Sequence, residues 1–148
     1  MIWLNKTFDE LTSDELYELL NLRSEVFVVE QDCIYNDMDG FDKDAIHVLG
    51  FDKTHLAAYA RILPPGTRYK NISIGRVVVD PKSRGKSLGK QLMKQSIELV
   101  KTTWGKLPVN ISAQQHLEKF YADLGFRTVS DVYLEDGIPH LKMEYSFR

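Results

Sequence analysis

Apolar positions along the chain recur with two periods, and the points where the period changes divide it into elements. Ile2-Trp3-Leu4, with Phe8 beyond, reads as an opening edge strand. Thr12-Ser13-Asp14-Glu15 is a capping box: the threonine hydroxyl takes an orphan backbone N–H and the glutamate reaches back. The helix it starts carries Leu16, Leu19, Leu20, Val26 and Phe27 at helical spacing, with Arg23 on the same face. Asn36 to Asp42 is acidic and turn-rich, which predicts a loop. His47 to Phe51 and Leu56 to Ile62 predict a hairpin turning at Asp52-Lys53-Thr54-His55, and Pro64-Pro65-Gly66 ends it. Ile72 to Val79 is a further strand, followed by an Asp80-Pro81 turn and a helix from Leu88 through Leu92, Met93, Ile97 and Val100 to near Gly105. A short strand, Val109 to Ser112, precedes a helix marked by Leu117, Phe120, Tyr121 and Leu124, with Gly125 as its C′ stop. Thr128 to Leu134 and His140 to Phe147 predict a closing strand pair around Asp136-Gly137.

The order β-α-β-β-β-α-β-α-β-β implies a mixed sheet with flanking helices, in the α/β (α+β) class. Strand 72–79, helix 88–104 and strand 109–112 form one βαβ crossover, which makes those two strands parallel. At 148 residues the chain fits one domain, residues 1–148.

Charge changes the picture locally. The net charge of −2 argues against a general nucleic-acid binder, yet Lys82, Arg84, Lys86, Lys90 and Lys94 cluster. That is a cation patch sized for a small polyanion. Cys33 is the single cysteine, so no internal disulfide can form, and a reducing cytoplasm is the expected location. No apolar run approaches a membrane span and no basic leader precedes an apolar core, so no membrane partner is expected. The four histidines (47, 55, 116 and 140) lack metal-ligand spacing, and no metal is expected. Cys33 has no activating partner in sequence and reads as a packed or idle thiol.

The basic cluster lies between a strand and a helix, in Val77-Val78-Val79-Asp80-Pro81-Lys82-Ser83-Arg84-Gly85-Lys86-Ser87-Leu88-Gly89-Lys90. Small residues at 85, 87 and 89 let backbone approach a ligand, and the N–H groups opening the helix favour an anion. A pyrophosphate fits; a solvated turn is the plainer reading. The Walker loop is excluded, because the position needing its first glycine holds Asp80. The dinucleotide fingerprint fails on spacing.

Here the chain resembles the GNAT N-acyltransferase superfamily. Arg84, Gly85-Lys86, Ser87, Leu88 and Gly89 fill its phosphate motif, Ser87 standing where a glycine is usual. Phe120-Tyr121-Ala122-Asp123-Leu124-Gly125-Phe126 is similar to its second signature, with Gln114 where an asparagine is common. Within the superfamily the chain resembles the ElaA-type group in Leu22–Gln31, Tyr59–Leu63, Ile74–Val79 and Glu135–His140, blocks that span almost the whole chain in order.

The resemblance implies a mostly antiparallel sheet whose one parallel pair splays to admit acetyl-CoA, the acyl-donor cosubstrate. It implies that Val77, Val78 and Val79 line the pantetheine arm, that Arg84 to Lys90 hold the pyrophosphate, and that Gln114 contacts the arm. An amine acceptor would attack directly in a ternary complex, with Tyr121 protonating the departing thiolate. For the base that frees the amine, Glu30 and His140 stand ahead of His116, Glu135 and Asp136.

Arg23, Arg61 and Arg76 interrupt apolar faces and admit two readings. They form internal ion pairs, with Glu25, Glu30 or Asp39 as partners, or one or more of them face the acceptor pocket, which Phe27 also lines, and bind a substrate carboxylate. Rival functions are a longer-chain acyltransferase, since Arg23 to Phe27 distantly resembles acyl-homoserine-lactone synthases, and a non-catalytic CoA sensor. A homodimer is compatible with the fold.

Overall fold

A computed structural model describes all residues, 1–148. Its strands are β1 (Ile2–Thr7), β2 (Ile46–Asp52), β3 (His55–Leu63), β4 (Ile72–Val79), β5 (Val109–Gln114), β6 (Phe126–Thr128), β7 (Tyr133–Glu135) and β8 (Ile138–Tyr145). Its α-helices are α1 (Ser13–Arg23), α2 (Leu88–Trp104) and α3 (Glu118–Asp123). The strands form one sheet in the order β1-β2-β3-β4-β5-β8-β6, with β7 also paired to β8. β4 and β5 are parallel and every other pairing is antiparallel, so the fold is the mixed α/β sheet that the element order predicts. No helix is long and apolar enough to cross a membrane.

Local chemistry explains the element ends. The Thr12 hydroxyl accepts from the Glu15 amide at 3.1 Å, and Glu15 accepts from the Thr12 amide at 2.8 Å. Gly125, at φ 105°, ends α3, and a side chain there would meet the Tyr145 ring at 3.0 Å. The β2–β3 hairpin turns at Lys53, whose φ of 56° is the left-handed value tight turns demand.

Alternation along β2, β3 and β4 splits the core between two faces. Ala58, Ala60 and Ile62 pack with Leu92, Met93 and Val100 of α2, while Leu49, Tyr59 and Val78 pack with Leu19 and Leu22 of α1. Each fully buried leucine or isoleucine contributes roughly 1.5–3 kcal/mol.

Three elements depart from the sequence pattern. The first helix does not continue as an α-helix: Ser24–Glu30 winds as a wider π-helix, with Gln31 N–H to Val26 C=O at 3.1 Å and Cys33 N–H to Val28 C=O at 3.0 Å. Val26, Val28 and Val29 crowd a tight turn, and the looser winding relieves them. The expected strand Thr128 to Leu134 is two strands, β6 and β7, that pair with opposite ends of β8. Between them the Ser130 hydroxyl accepts from the Lys142 amide, taking the place of a ladder bond. β5 runs to Gln114, two residues past the predicted end.

Candidate active site

β4 and β5 pair only at Ile72–Val109 and Ser73–Asn110, then part. The parting is built into β4. Gly75 faces Arg61 and Val78 faces Tyr59, so Arg76 and Val77 together oppose the single residue Ala60. Arg76 takes φ 50°, which makes this a β-bulge that bends the strand away from its neighbour. Beyond Ser73 the main-chain groups on that edge of β4 have no β5 partner, and a cleft of about 500 Å³ opens there.

Val77, Val78 and Val79 line one wall of the cleft, and Ile111, Ser112, Ala113 and Gln114 line the other. Phe27 and Glu30 reach it from the π-helix, Phe120 and Tyr121 from α3, and Glu135, Asp136 and His140 from the β7–β8 hairpin. One end continues into a hollow of about 300 Å³ lined by Arg84, Gly85, Ser87, Leu88, Gly89 and Lys90. Gly85 and Ser87 are both left-handed, at φ 86° and 59°, which turns successive N–H groups toward one side just ahead of α2. Lys86 is exposed and does not line the hollow; Lys90 does.

Arg84 bonds across the cleft mouth to Glu30, at 3.1 and 2.8 Å, and its Nε donates to the Val79 carbonyl at 3.3 Å. Glu30 therefore sits at the anion end of the cleft with both oxygens held by a guanidinium.

Tyr121 is 6% exposed, and its ring packs edge-on against Phe120 and Phe126. Burial pushes its phenol up to about 12, and no protein group bonds to the hydroxyl, which is left for whatever fills the cleft. His140, also lining the cleft, is 6% exposed, with Nδ1 2.7 Å from the Ile138 carbonyl and Nε2 3.4 Å from Glu135. His116 is exposed on the rim. The Cys33 thiol donates to the Asp136 carbonyl at 3.4 Å, tying the loop after the π-helix to the β7–β8 turn.

The arginines are internal ion pairs. Arg23 is fully buried and does not line the cleft. Its Nε and Nη1 donate to Asp37 and Asp42 at 2.8 and 2.6 Å, and Nη2 donates to the Asp37 carbonyl at 3.1 Å. This corrects its expected place among acceptor-binding residues, because the guanidinium is fully buried against Asp37 and Asp42, away from the cleft. Arg61 holds Asp39 at 2.8 and 2.7 Å and Asp42 at 3.1 Å; Arg76 holds Asp37 at 2.9 Å and Asp39 at 3.4 Å. Both line the cleft, but their charge is largely answered from behind. Of the expected partners only Asp39 takes part. Asp37 and Asp42 come from a loop far away in sequence, and no local spacing signals them.

The clasp has electrostatic consequences. Burial alone would raise Asp39 and Asp42; hydrogen bonds from Arg61 to Asp39 and from Arg23 to Asp42 outweigh it and hold both carboxyls below their usual range. His47 bonds to the Tyr59 hydroxyl at 2.6 Å and to the Asp42 carbonyl at 2.9 Å. A carbonyl only accepts, so Nε2 carries the proton, and burial holds the ring neutral by lowering its pKa.

The acetyltransferase (GNAT) domain family matches residues 9–147. Protein ElaA of Escherichia coli K12 is 46% identical over 143 residues, covering 95% of this chain and 94% of that one. The crystal structure of an acyl-CoA N-acyltransferase from Pseudomonas aeruginosa matches with a TM-score of 0.93 at 43% identity, covering 99% of this chain and all of that one. The crystal structure of Escherichia coli ElaA matches with a TM-score of 0.92 at 44% identity, covering 98% of this chain and 99% of that one.

Proposed function

This chain belongs to the GNAT acetyltransferase family, and on that premise we propose that it transfers an acyl group, acetyl foremost, from acyl-CoA to a primary amine by direct attack. The observation that carries the reading is the continuous path from the left-handed Gly85–Ser87 loop, along the unpaired edge of β4, to the free hydroxyl of Tyr121. An extended arm bearing amides suits that edge, and a pyrophosphate suits the loop and Lys90.

Direct attack needs three things of the protein. The thioester carbonyl must meet a fixed donor as its oxygen gains charge, and a main-chain N–H beside the bulge can serve. The departing sulfur must be stabilised. A phenol held near 12 keeps its proton at neutral pH, so Tyr121 acts first as a hydrogen-bond donor to the thiolate and then as the route by which the sulfur is protonated. The amine must also lose protons, and His140 is the base within the cleft whose ring is held by the Ile138 carbonyl. Glu30, engaged by Arg84, serves the anion end instead.

The test is thiol release from acetyl-CoA across amines, amino acids and peptides, with Tyr121→Phe beside the parent. Hydrogen bonds to charged groups are worth about 1.5–3 kcal/mol, so kcat should fall roughly 10- to 100-fold while CoA affinity and Tm hold. An unchanged kcat removes Tyr121 from the chemistry. Tight CoA binding without thiol release from any acceptor favours a sensor.

A further inference from the structure

The loop that joins β3 to β4 carries a cation that the protein leaves without a bonded partner. Arg68 lines the cleft beside Tyr69. Its loop is fixed by its own bonds: the amide of Gly66, a residue at φ 78°, donates to the Tyr69 carbonyl at 2.9 Å and to the Lys70 carbonyl at 3.1 Å. Two rings hold the guanidinium in turn, its carbon lying 5.7 Å from the Phe41 ring centre and 5.3 Å from that of Tyr69. Contact with ring faces orients the planar group and leaves its fork of N–H donors free.

The charge balance explains why the fork is unfilled. Four guanidinium groups, of Arg23, Arg61, Arg68 and Arg76, meet three carboxylates, of Asp37, Asp39 and Asp42. The surplus falls on Arg68. Its one ion pair, to Asp39, is 3.7 Å long, beyond hydrogen-bond range. Asp39 has nothing further to offer, because each of its oxygens already takes two donors: Oδ1 from the Phe41 amide and Arg61, Oδ2 from Arg61 and Arg76. Arg61 Nε is likewise buried without an acceptor, so the clasp as a whole is short of oxygens. The other carboxylates that line the cleft do not pair with Arg68. Glu30 is held by Arg84, Glu135 bonds to Ser112 and lies against His140, and Asp136 forms no ion pair.

We propose that Arg68 anchors a carboxylate on the acceptor, so that the acceptor is an amino acid or another amine bearing a carboxylate. The assignment rests on the transfer reading above, in which the CoA phosphates take the Arg84–Lys90 end. The Arg68 loop enters β4 and the Arg84 loop leaves it, and the eight residues of the strand hold the two roughly 25 Å apart. One pyrophosphate cannot span them, so the Arg68 end serves the other substrate. A carboxylate matches the guanidinium fork with two parallel bonds and cancels the surplus charge of the clasp. Arg61 and Arg76, by saturating Asp39, are what keep Arg68 free for it.

The experiment follows thiol release from acetyl-CoA with a series of amino acids, from glycine to 6-aminohexanoate, each beside its carboxamide, on the parent, Arg68→Met and Arg68→Lys. At the chain length that fits, Arg68→Met should lower kcat/KM for the carboxylate relative to its carboxamide at least tenfold, mainly through KM. Arg68→Lys keeps the charge, loses the fork and should restore part of that preference. KM for acetyl-CoA should stay within twofold in both. A carboxylate-to-carboxamide ratio that Arg68→Met leaves unchanged at every length overturns the proposal. Succinyl-CoA with n-butylamine covers the other source of a carboxylate. A KM for succinyl-CoA that rises in Arg68→Met, while the amino acid series does not respond, moves the anion to the acyl donor and overturns it as well. A second measurement does not depend on turnover: the arginine Nε–Hε signals are followed while N-acetylglycine, then 6-acetamidohexanoate, is titrated into the CoA-loaded protein. The Arg68 signal should move with at least one of the acids and stay fixed with their carboxamides. A signal unmoved by both acids overturns the site. Movement without thiol release from any amine sustains the site and sinks the transferase reading instead.

Discussion

Replacing Arg23 by methionine tests whether the arginine clasp is structural. The guanidinium is fully buried and makes three contacts of 3.1 Å or shorter, to Asp37, Asp42 and the Asp37 carbonyl. Methionine keeps the apolar stem and removes the charge, so two buried carboxylates lose their main partner. Breaking one side of a buried pair costs about 3–5 kcal/mol, mostly for the charge left behind. At this chain length that is a fall in Tm of roughly 10 °C. The pH dependence identifies the cause. Asp42 is held below its usual range, so its pairing contributes stability that is present above the unfolded carboxyl value, about pH 3.9, and lost as pH falls through the lower folded value. The deficit of Arg23→Met should therefore be largest at neutral pH and shrink below about pH 4. Urea unfolding at several pH values, followed by circular dichroism, reads both. A deficit under about 1 kcal/mol, or one independent of pH, refutes the clasp. A normal Tm with a raised KM for carboxylate-bearing acceptors would return Arg23 to the substrate side.

Glu30→Gln should tighten CoA binding by roughly three- to tenfold at low salt, because it removes a carboxylate beside the anion end and frees Arg84; calorimetry showing equal or weaker affinity would contradict that placement. Ser87→Gly should raise stability by about 0.5 kcal/mol, since Ser87 sits at φ 59° with no side-chain cap bond to lose; a lower Tm would show that the hydroxyl has a role its contacts do not reveal.

Legibility in sequence follows the range of the cause. The capping box at Thr12, the hairpin at Lys53, the crossover through α2 and the stop at Gly125 each depend on neighbours within a few residues, and each forms as read. The turn from Arg84 to Ser87 ahead of α2 was legible for the same reason. The π winding after Arg23 was not, because helical apolar spacing looks alike for both windings over so short a run. Asp37 and Asp42 were read only as loop residues, since their partners lie on α1, β3 and β4. The break between β6 and β7 depends on Ser130 meeting Lys142 across the sheet. Glu30 and His140 were read side by side as candidate bases, and nothing local in the sequence signals that Glu30 lies against Arg84 while His140 lies beside Glu135 of the β7–β8 hairpin.

The parting of β4 and β5 also bears on solubility and on how the molecule behaves when ligand is scarce. A strand whose hydrogen-bonding side is vacant is a template for pairing with any extended chain, and most proteins blunt such edges at the perimeter of the sheet. Here the vacant edge lies in the middle of the sheet, between strands joined by α2, where another protein's strand cannot readily slide in. A thin guest bearing spaced amides can enter, and in doing so it completes the ladder. With such a guest bound as proposed, its concentration would set amide exchange protection along β4 and β5 and would add to global stability by mass action, about 2.7 kcal/mol at a hundredfold excess over Kd.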